Sequence, residues 1–298
     1  MATTTVNGVT IDYDVVGEGP PVIVTPGGWY SRASLSETSR GLSECCTVLT
    51  WDCRNTGNSG IAFEDRDHEF AIMAEDAFAL IKQLGLAPCF AVGMSGGSFT
   101  TLQLAHMHPE VLQGIVLLWS GSHEIFPGIQ EIMYKRPAEL ARREGMAAVV
   151  ADKAWSSRAV SSRKPELAEY LRQMEPTVFA AAMDRWATYG RQHGLPAFGD
   201  LTQSEIEAIR LPALVIPGGD ESHRKESGEE LHSLLPQSTL WHAPQEVWER
   251  FHAAVATQGS TPDAWTVYET AAGRFYTDAV PQMKRFISEI SGAERHDR

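Results

Sequence analysis

Phe90-Ala91-Val92-Gly93-Met94-Ser95-Gly96-Gly97 sets the architecture of this 298-residue chain. An apolar run leads into a turn in which glycines stand two residues before and two after a serine, and a helical pattern follows as far as His106. A serine that must project from the top edge of a sheet sits on a sharp, strained strand-to-helix turn, where side chains two positions either side would clash. The helix that follows aims its first N–H groups and its dipole at the same place. Ser95 is therefore the candidate nucleophile.

Working outward, the flanking segments repeat one theme. Pro21 to Thr25 and Cys46 to Trp51 are short apolar runs rich in β-branched residues, and each ends in turn chemistry. Such runs read as buried strands. A helix is expected from Glu69 to Leu84, with Phe70, Met73, Ala77, Leu80 and Ile81 on its apolar side and Gly85 to stop it. Ile115 to Trp119, Ala213 to Ile216 and Thr239 to Ala243 continue the strands, and a closing helix spans Val280 to Ile290. At the N-terminus, Asn7-Gly8 between β-branched runs predicts a two-residue hairpin. Strands alternating with helices imply a mostly parallel sheet covered on both faces. Between about Ser122 and Ala208 the pattern is helical throughout, with candidates at Pro137 to Val150, Pro165 to Met174 and Thr177 to Tyr189. The expected organisation is an α/β core of residues 1–121 and 209–298 with a helical lid at 122–208.

The second chemical element is Thr25-Pro26-Gly27-Gly28-Trp29, directly after the first long strand. A Gly-rich turn there can offer a backbone N–H to a tetrahedral oxyanion, with the N–H of Gly96 as the other donor. Together with the serine turn, these features resemble the α/β-hydrolase superfamily over roughly residues 5 to 290. Asp52-Cys53-Arg54-Asn55-Thr56-Gly57-Asn58-Ser59 is similar to that family's D-x-R-G-x-G-x-S loop, with Asn55 in place of a glycine. His108-Pro109-Glu110 resembles its H-P-E. The family's usual histidine before the first glycine turn is Pro26 here.

The resemblance implies a triad in the order serine, acid, histidine. Asp220, closing Ala213-Leu214-Val215-Ile216-Pro217-Gly218-Gly219-Asp220, fits the acid, with Glu221 as fallback. The base is less clearly marked, because no Gly-His follows the last strand. His252 is the first choice by its distance from that strand, and His242 and His223 are the alternatives. The family's common reactions are acyl transfers, so the expectation is hydrolysis of an ester or lactone through an acyl-enzyme on Ser95. A carbon–carbon bond hydrolase, a lyase or isomerase and a non-catalytic binding protein with a degraded triad stand as alternatives.

Trp29, Met94, Trp119 and Trp186 are the expected substrate contacts, and the lid's aromatic and methionine residues suggest an apolar, fairly bulky small molecule. The alternative for most of these side chains is packing of the lid. The net charge of −13 disfavours nucleic acid and anionic membranes. The four cysteines have no C-x-x-C spacing and read as reduced packing residues. No zinc cluster, P-loop or dinucleotide motif stands out, so neither a metal nor a cofactor is expected. No signal peptide or membrane span is expected, which points to the cytoplasm. A homodimer is compatible with all of this.

Overall fold

The computed structural model describes residues 2–121, 123–188, 195, 198–256 and 264–296. Eight strands form one sheet: β1 (Ala2–Val6), β2 (Val9–Val16), β3 (Pro21–Thr25), β4 (Thr47–Trp51), β5 (Cys89–Met94), β6 (Leu112–Leu118), β7 (Ala213–Ile216) and β8 (Ser238–Leu240). Their order is β1-β2-β4-β3-β5-β6-β7-β8. β1 and β2 pair antiparallel, as do β2 and β4, and every pair from β4 onward is parallel. The β1–β2 turn is Asn7-Gly8, both with positive φ, closed by the Val6–Val9 pair.

β3 lies between β4 and β5. The chain leaves β3 toward one edge and later crosses to the other, so the loops after β3 and β5 part company at neighbouring strand ends. Open parallel sheets form crevices at such switch points. Here the diverging loops are Pro26-Gly27-Gly28 and the turn at Ser95.

The helices are α1 (Ser36–Ser43), α2 (Glu69–Gln83), α3 (Gly96–Met107), α4 (Phe126–Gln130), α5 (Arg136–Glu144), α6 (Met146–Ala151), α7 (Lys153–Ser161), α8 (Leu167–Gln173), α9 (Pro176–Trp186), α10 (Gln203–Ala208), α11 (Lys225–Leu234), α12 (Gln245–Ala256) and α13 (Ala264–His296). A π-helical turn, Glu131–Lys135, joins α4 to α5. α2 and α3 contribute to the apolar core on one face of the sheet, around Leu80, Ile81 and Leu102. α12 and α13 contribute to the core on the other, with Phe251, Phe275 and Met283.

Every described element between β6 and β7 is helical. The expected helix from Pro137 to Val150 is broken at Gly145, whose φ of 81° lies outside the helical region. α4 and α7 were not foreseen, and Tyr189 lies outside the described residues. This segment has its own apolar cluster, built on Trp155, Phe179, Met183 and Trp186, which also takes in Trp29 and Phe63 from the core. Trp155, Phe179 and Trp186, among the aromatic residues that suggested a bulky substrate, are thus spent on packing.

The loop after β4 is held by its own charges. The Asp52 carboxylate accepts from the Arg32 and Asn58 backbone N–H groups at 2.8 and 3.1 Å. Arg54 grips Asp76 of α2 through Nε at 2.7 Å and Nη2 at 2.8 Å. Asn55, at the position of the missing glycine, takes φ of 68°, which asparagine tolerates better than most residues. Three cysteines are buried, but Cys45 is exposed, contrary to the packing role expected of all four. Among the described residues, no helix is long and apolar enough to cross a membrane.

Candidate active site

Ser95 sits between β5 and α3 with φ of 49° and ψ of −118°. A non-glycine residue held there stores strain of about 1–3 kcal/mol. The turn survives because its neighbours lack side chains. A β-carbon on Gly93 would stand 2.2 Å from the Gly97 carbonyl oxygen, and one on Gly97 would stand 2.4 Å from the carbonyl oxygens of Thr25 and Pro26. One on Gly96 would stand 2.6 Å from the Gly28 nitrogen. The Gly28 turn is therefore packed directly on the start of α3. The Ser95 N–H donates to the Leu118 carbonyl at 2.9 Å, which ties the turn to the end of β6.

The side chain that meets Ser95 is His223, with Nε2 2.9 Å from Ser95 Oγ. On the other side of the ring, Nδ1 lies 3.0 and 3.2 Å from the Asp220 carboxylate oxygens. A carboxylate only accepts, so Nδ1 carries the proton and the Nε2 lone pair faces the serine hydroxyl. Asp220 Oδ1 also accepts from the backbone N–H groups of Ser222 and His223, both at 2.8 Å. The acid and the imidazole thus occupy a single turn after β7.

Two glycines make that turn fit. A β-carbon on Gly218 would stand 2.2 Å from the His223 carbonyl oxygen and 2.4 Å from its Cβ, and one on Gly219 would press into the Trp248 ring at 2.7 Å.

The first-choice base, His252, is not brought to Ser95. It is an exposed residue of α12, its ring 5.9 Å from Trp248 and 5.5 Å from Phe251. His242 follows the end of β8 and faces Glu229 at 3.5 Å. His223, ranked below His252 because a D-x-x-H spacing often looks structural, is the imidazole that reaches the serine.

The expected substrate contacts divide in the same way. Ser95, His223, Gly28, Gly96 and Trp29 line one cavity of about 240 Å³. Its apolar wall is Phe70, Phe99, Ile125, Phe126, Ile129 and Met133. Met94, Trp119 and Trp186 are not among its lining residues. The β5 side chain of Met94 packs into the sheet core against Gly27. Trp119 is fully buried behind the His223 ring at 5.5 Å and stacks on Trp248. Trp186 is held in the inter-strand helical segment, its indole N–H donating to the Glu64 carbonyl at 2.9 Å.

The cavity also holds a charged group that sequence reading missed. Glu69, Tyr134 and Arg158 line it and are 2, 4 and 3% exposed. Trp29 Nε1 donates to Glu69 Oε2 at 3.0 Å, and the Tyr134 hydroxyl donates to Glu69 Oε1. The Arg158 guanidinium lies over the Trp29 ring, 3.8 Å from its centroid, and 4.6 Å from that of Trp155. Burial raises the Glu69 carboxyl above its usual range, against the opposing pull of Arg158 and of the two donors. Burial likewise lowers Arg158 and pushes Tyr134 well up. Glu69 had been seen only as the start of a helix, and Arg158 falls in a helix without a clear apolar period.

Known proteins share the fold. The family model described as alpha/beta hydrolase fold matches residues 20–246. The sn-1-specific diacylglycerol lipase ABHD11 of Mus musculus is 23% identical over 76% of this chain and 74% of its own length. The uncharacterized hydrolase YraK of Bacillus subtilis is 29% identical over 35% of this chain, which spans only 39% of YraK. Among solved structures, the enol-lactonase from Burkholderia xenovorans LB400 superposes with a TM-score of 0.57 at 20% identity, covering 86% of this chain and 98% of that one. Est816, titled as an N-acyl homoserine lactone degrading enzyme, gives 0.54 at 21% identity over 81% and 91%. With the family match covering most of its length, this chain belongs to the alpha/beta hydrolase fold family.

Proposed function

We propose that this protein is a serine hydrolase that opens an ester or lactone of a small molecule through an acyl-enzyme on Ser95. The observation that carries the reading is the unbroken hydrogen-bonded chain from Ser95 Oγ to His223 at 2.9 Å and from His223 to Asp220 at 3.0 Å. His223 takes the hydroxyl proton as Ser95 attacks the carbonyl carbon, and Asp220 holds the imidazole in the needed tautomer and stabilises the imidazolium. The Gly28 and Gly96 N–H groups receive the oxyanion, each worth roughly 100- to 1000-fold in rate. His223 then protonates the leaving alcohol, and a water molecule activated by the same ring releases the acid.

The segment expected as a lid at 122–208 covers this site through Ile125, Phe126, Ile129, Met133, Tyr134 and Arg158. The cavity of about 240 Å³ suits a small-molecule substrate. Labelling with a fluorophosphonate tests the reading. Label should appear on the wild-type protein, disappear in Ser95→Ala and His223→Ala, and persist in His252→Ala and His242→Ala. Full labelling of His223→Ala would overturn the assignment of the base, and a folded wild type that takes no label and cleaves no small ester or lactone would overturn the hydrolase reading.

A further inference from the structure

Beyond Ser95 and His223, the polar side chains of the cavity wall are Glu69, Tyr134 and Arg158. A guanidinium buried among aromatic rings is costly unless its charge is used or balanced. Arg158 is carried by α7, lines the same small cavity as Ser95, and is backed by the Trp29 and Trp155 rings. A guanidinium carries its N–H donors in a planar fork that matches a carboxylate.

Glu69 supplies a counter-charge to Arg158. Both of its oxygens already accept, one from Trp29 and one from Tyr134. It is therefore placed to hold these side chains rather than to receive a cationic ligand. The residue so held is Trp29, next in sequence to Gly28, so the charged cluster borders the proposed oxyanion donor directly.

From this placement we propose that the substrate bears a carboxylate, which Arg158 binds while its ester or lactone carbonyl lies at Ser95. The inference rests on the hydrolase reading above and narrows it from apolar small molecules to small acidic acyl compounds. Cleavage of such an ester breaks the acyl C–O bond. The acyl carbon passes to Ser95 Oγ, the alcohol leaves with the proton held by His223, and water releases a dicarboxylate. Arg158 and Ser95 line the same cavity, so the number of carbon atoms between acid and carbonyl is what the substrate series varies.

The test uses the monomethyl esters of succinic, glutaric and adipic acids, each against its neutral amide isostere, with hydrolysis followed by proton release. On the wild-type protein, kcat/KM for at least one acid should exceed that for its amide by roughly 10- to 100-fold, the worth of a buried hydrogen bond to a charged group. Arg158→Met should bring that ratio close to one, and Arg158→Lys, which keeps the charge but not the fork, should leave a partial preference. Glu69→Gln, which removes the opposing charge, should enlarge it. A wild type that cleaves the amides as well as the acids, or that prefers an ammonium-bearing ester, overturns the inference and leaves the hydrolase reading intact.

If the wild type cleaves none of these esters, the fluorophosphonate label decides the hydrolase reading separately, and the anion site is read by calorimetry with glutarate on the Ser95→Ala protein. Binding that is lost on adding Arg158→Met upholds the site, and binding that is absent or unaffected refutes it. Thermal melts on every variant separate a lost contact from a lost fold.

Discussion

Substituting Gly218 with alanine probes the site without touching any of its reacting groups. The added β-carbon would stand 2.4 Å from His223 Cβ and 2.2 Å from its carbonyl oxygen, whereas an ordinary contact begins near 3.4 Å. The obstacles are backbone or backbone-anchored atoms, so they cannot be relieved by rotating a side chain. The Asp220–His223 turn must shift by about 1 Å, the difference between 2.4 and 3.4 Å. A shift of that size away from Ser95 lengthens the 2.9 Å contact beyond hydrogen-bond range. Misplacement by about 1 Å costs on the order of 100-fold in rate, and overpacking costs about 1–3 kcal/mol in stability. The expected outcome is a folded protein, slightly less stable, whose fluorophosphonate labelling and ester hydrolysis both fall by about two orders of magnitude. Gly292→Ala serves as the control, since nothing lies within 4 Å of its added methyl group. A Gly218→Ala protein that labels at the wild-type rate would show that the precise seat of His223 does not matter, and the reasoning from the turn would fail.

Two further predictions concern stability. Arg54→Ala leaves Asp76, which is fully buried, without its bidentate partner; a loss of about 3–5 kcal/mol is expected, and denaturant titration reading less than a third of that would contradict a buried-pair role. His68 caps α2 by accepting from the Ala71 N–H at 3.3 Å, and burial holds its imidazole down at about 4. A depressed base contributes stability that is present above its unfolded value near 6.5 and is lost as pH falls toward 4, up to about 3 kcal/mol. His68→Asn keeps a capping side chain and removes that proton sink. The variant should therefore lose less stability than wild type between pH 7 and pH 4, and parallel losses in paired denaturant titrations would refute the account.

The strands and the Ser95 turn were legible because steric rules write them into local sequence. Runs such as Val22-Ile23-Val24 suit the inside of a parallel sheet, and Gly93, Gly96 and Gly97 are required wherever backbone passes within 2.6 Å of where a side chain would begin. The helical segment was legible as a type but not in detail, since α4 and α7 are short and their apolar residues serve the cavity or the aromatic cluster rather than one regular stripe. The cavity's charged cluster left no local trace. Glu69 and Arg158 are 89 positions apart, and only the folding of α7 over the Gly28 turn brings both to Trp29.

That His223 rather than His252 meets Ser95 has a more specific cause. The usual expectation places the histidine after the last strand, where it approaches the serine from a different loop than the acid does. Here β7 ends in a turn that brings the chain back within three residues, so that Asp220 Oδ1 accepts both from the His223 backbone and from its ring. The backbone bond fixes the direction in which the side chain leaves, and the ring bond fixes its rotation, so one short turn does what two loops do elsewhere. The segment after β8 is then released from holding an imidazole. It forms α12 instead, whose Trp248 stacks on Trp119 at 5.7 Å and closes over Gly219, walling the His223 turn from behind. The absence of Gly-His after β8 and the Gly218-Gly219 pair before Asp220 are thus two sides of one rearrangement, and the second of them was present in the sequence as its signal.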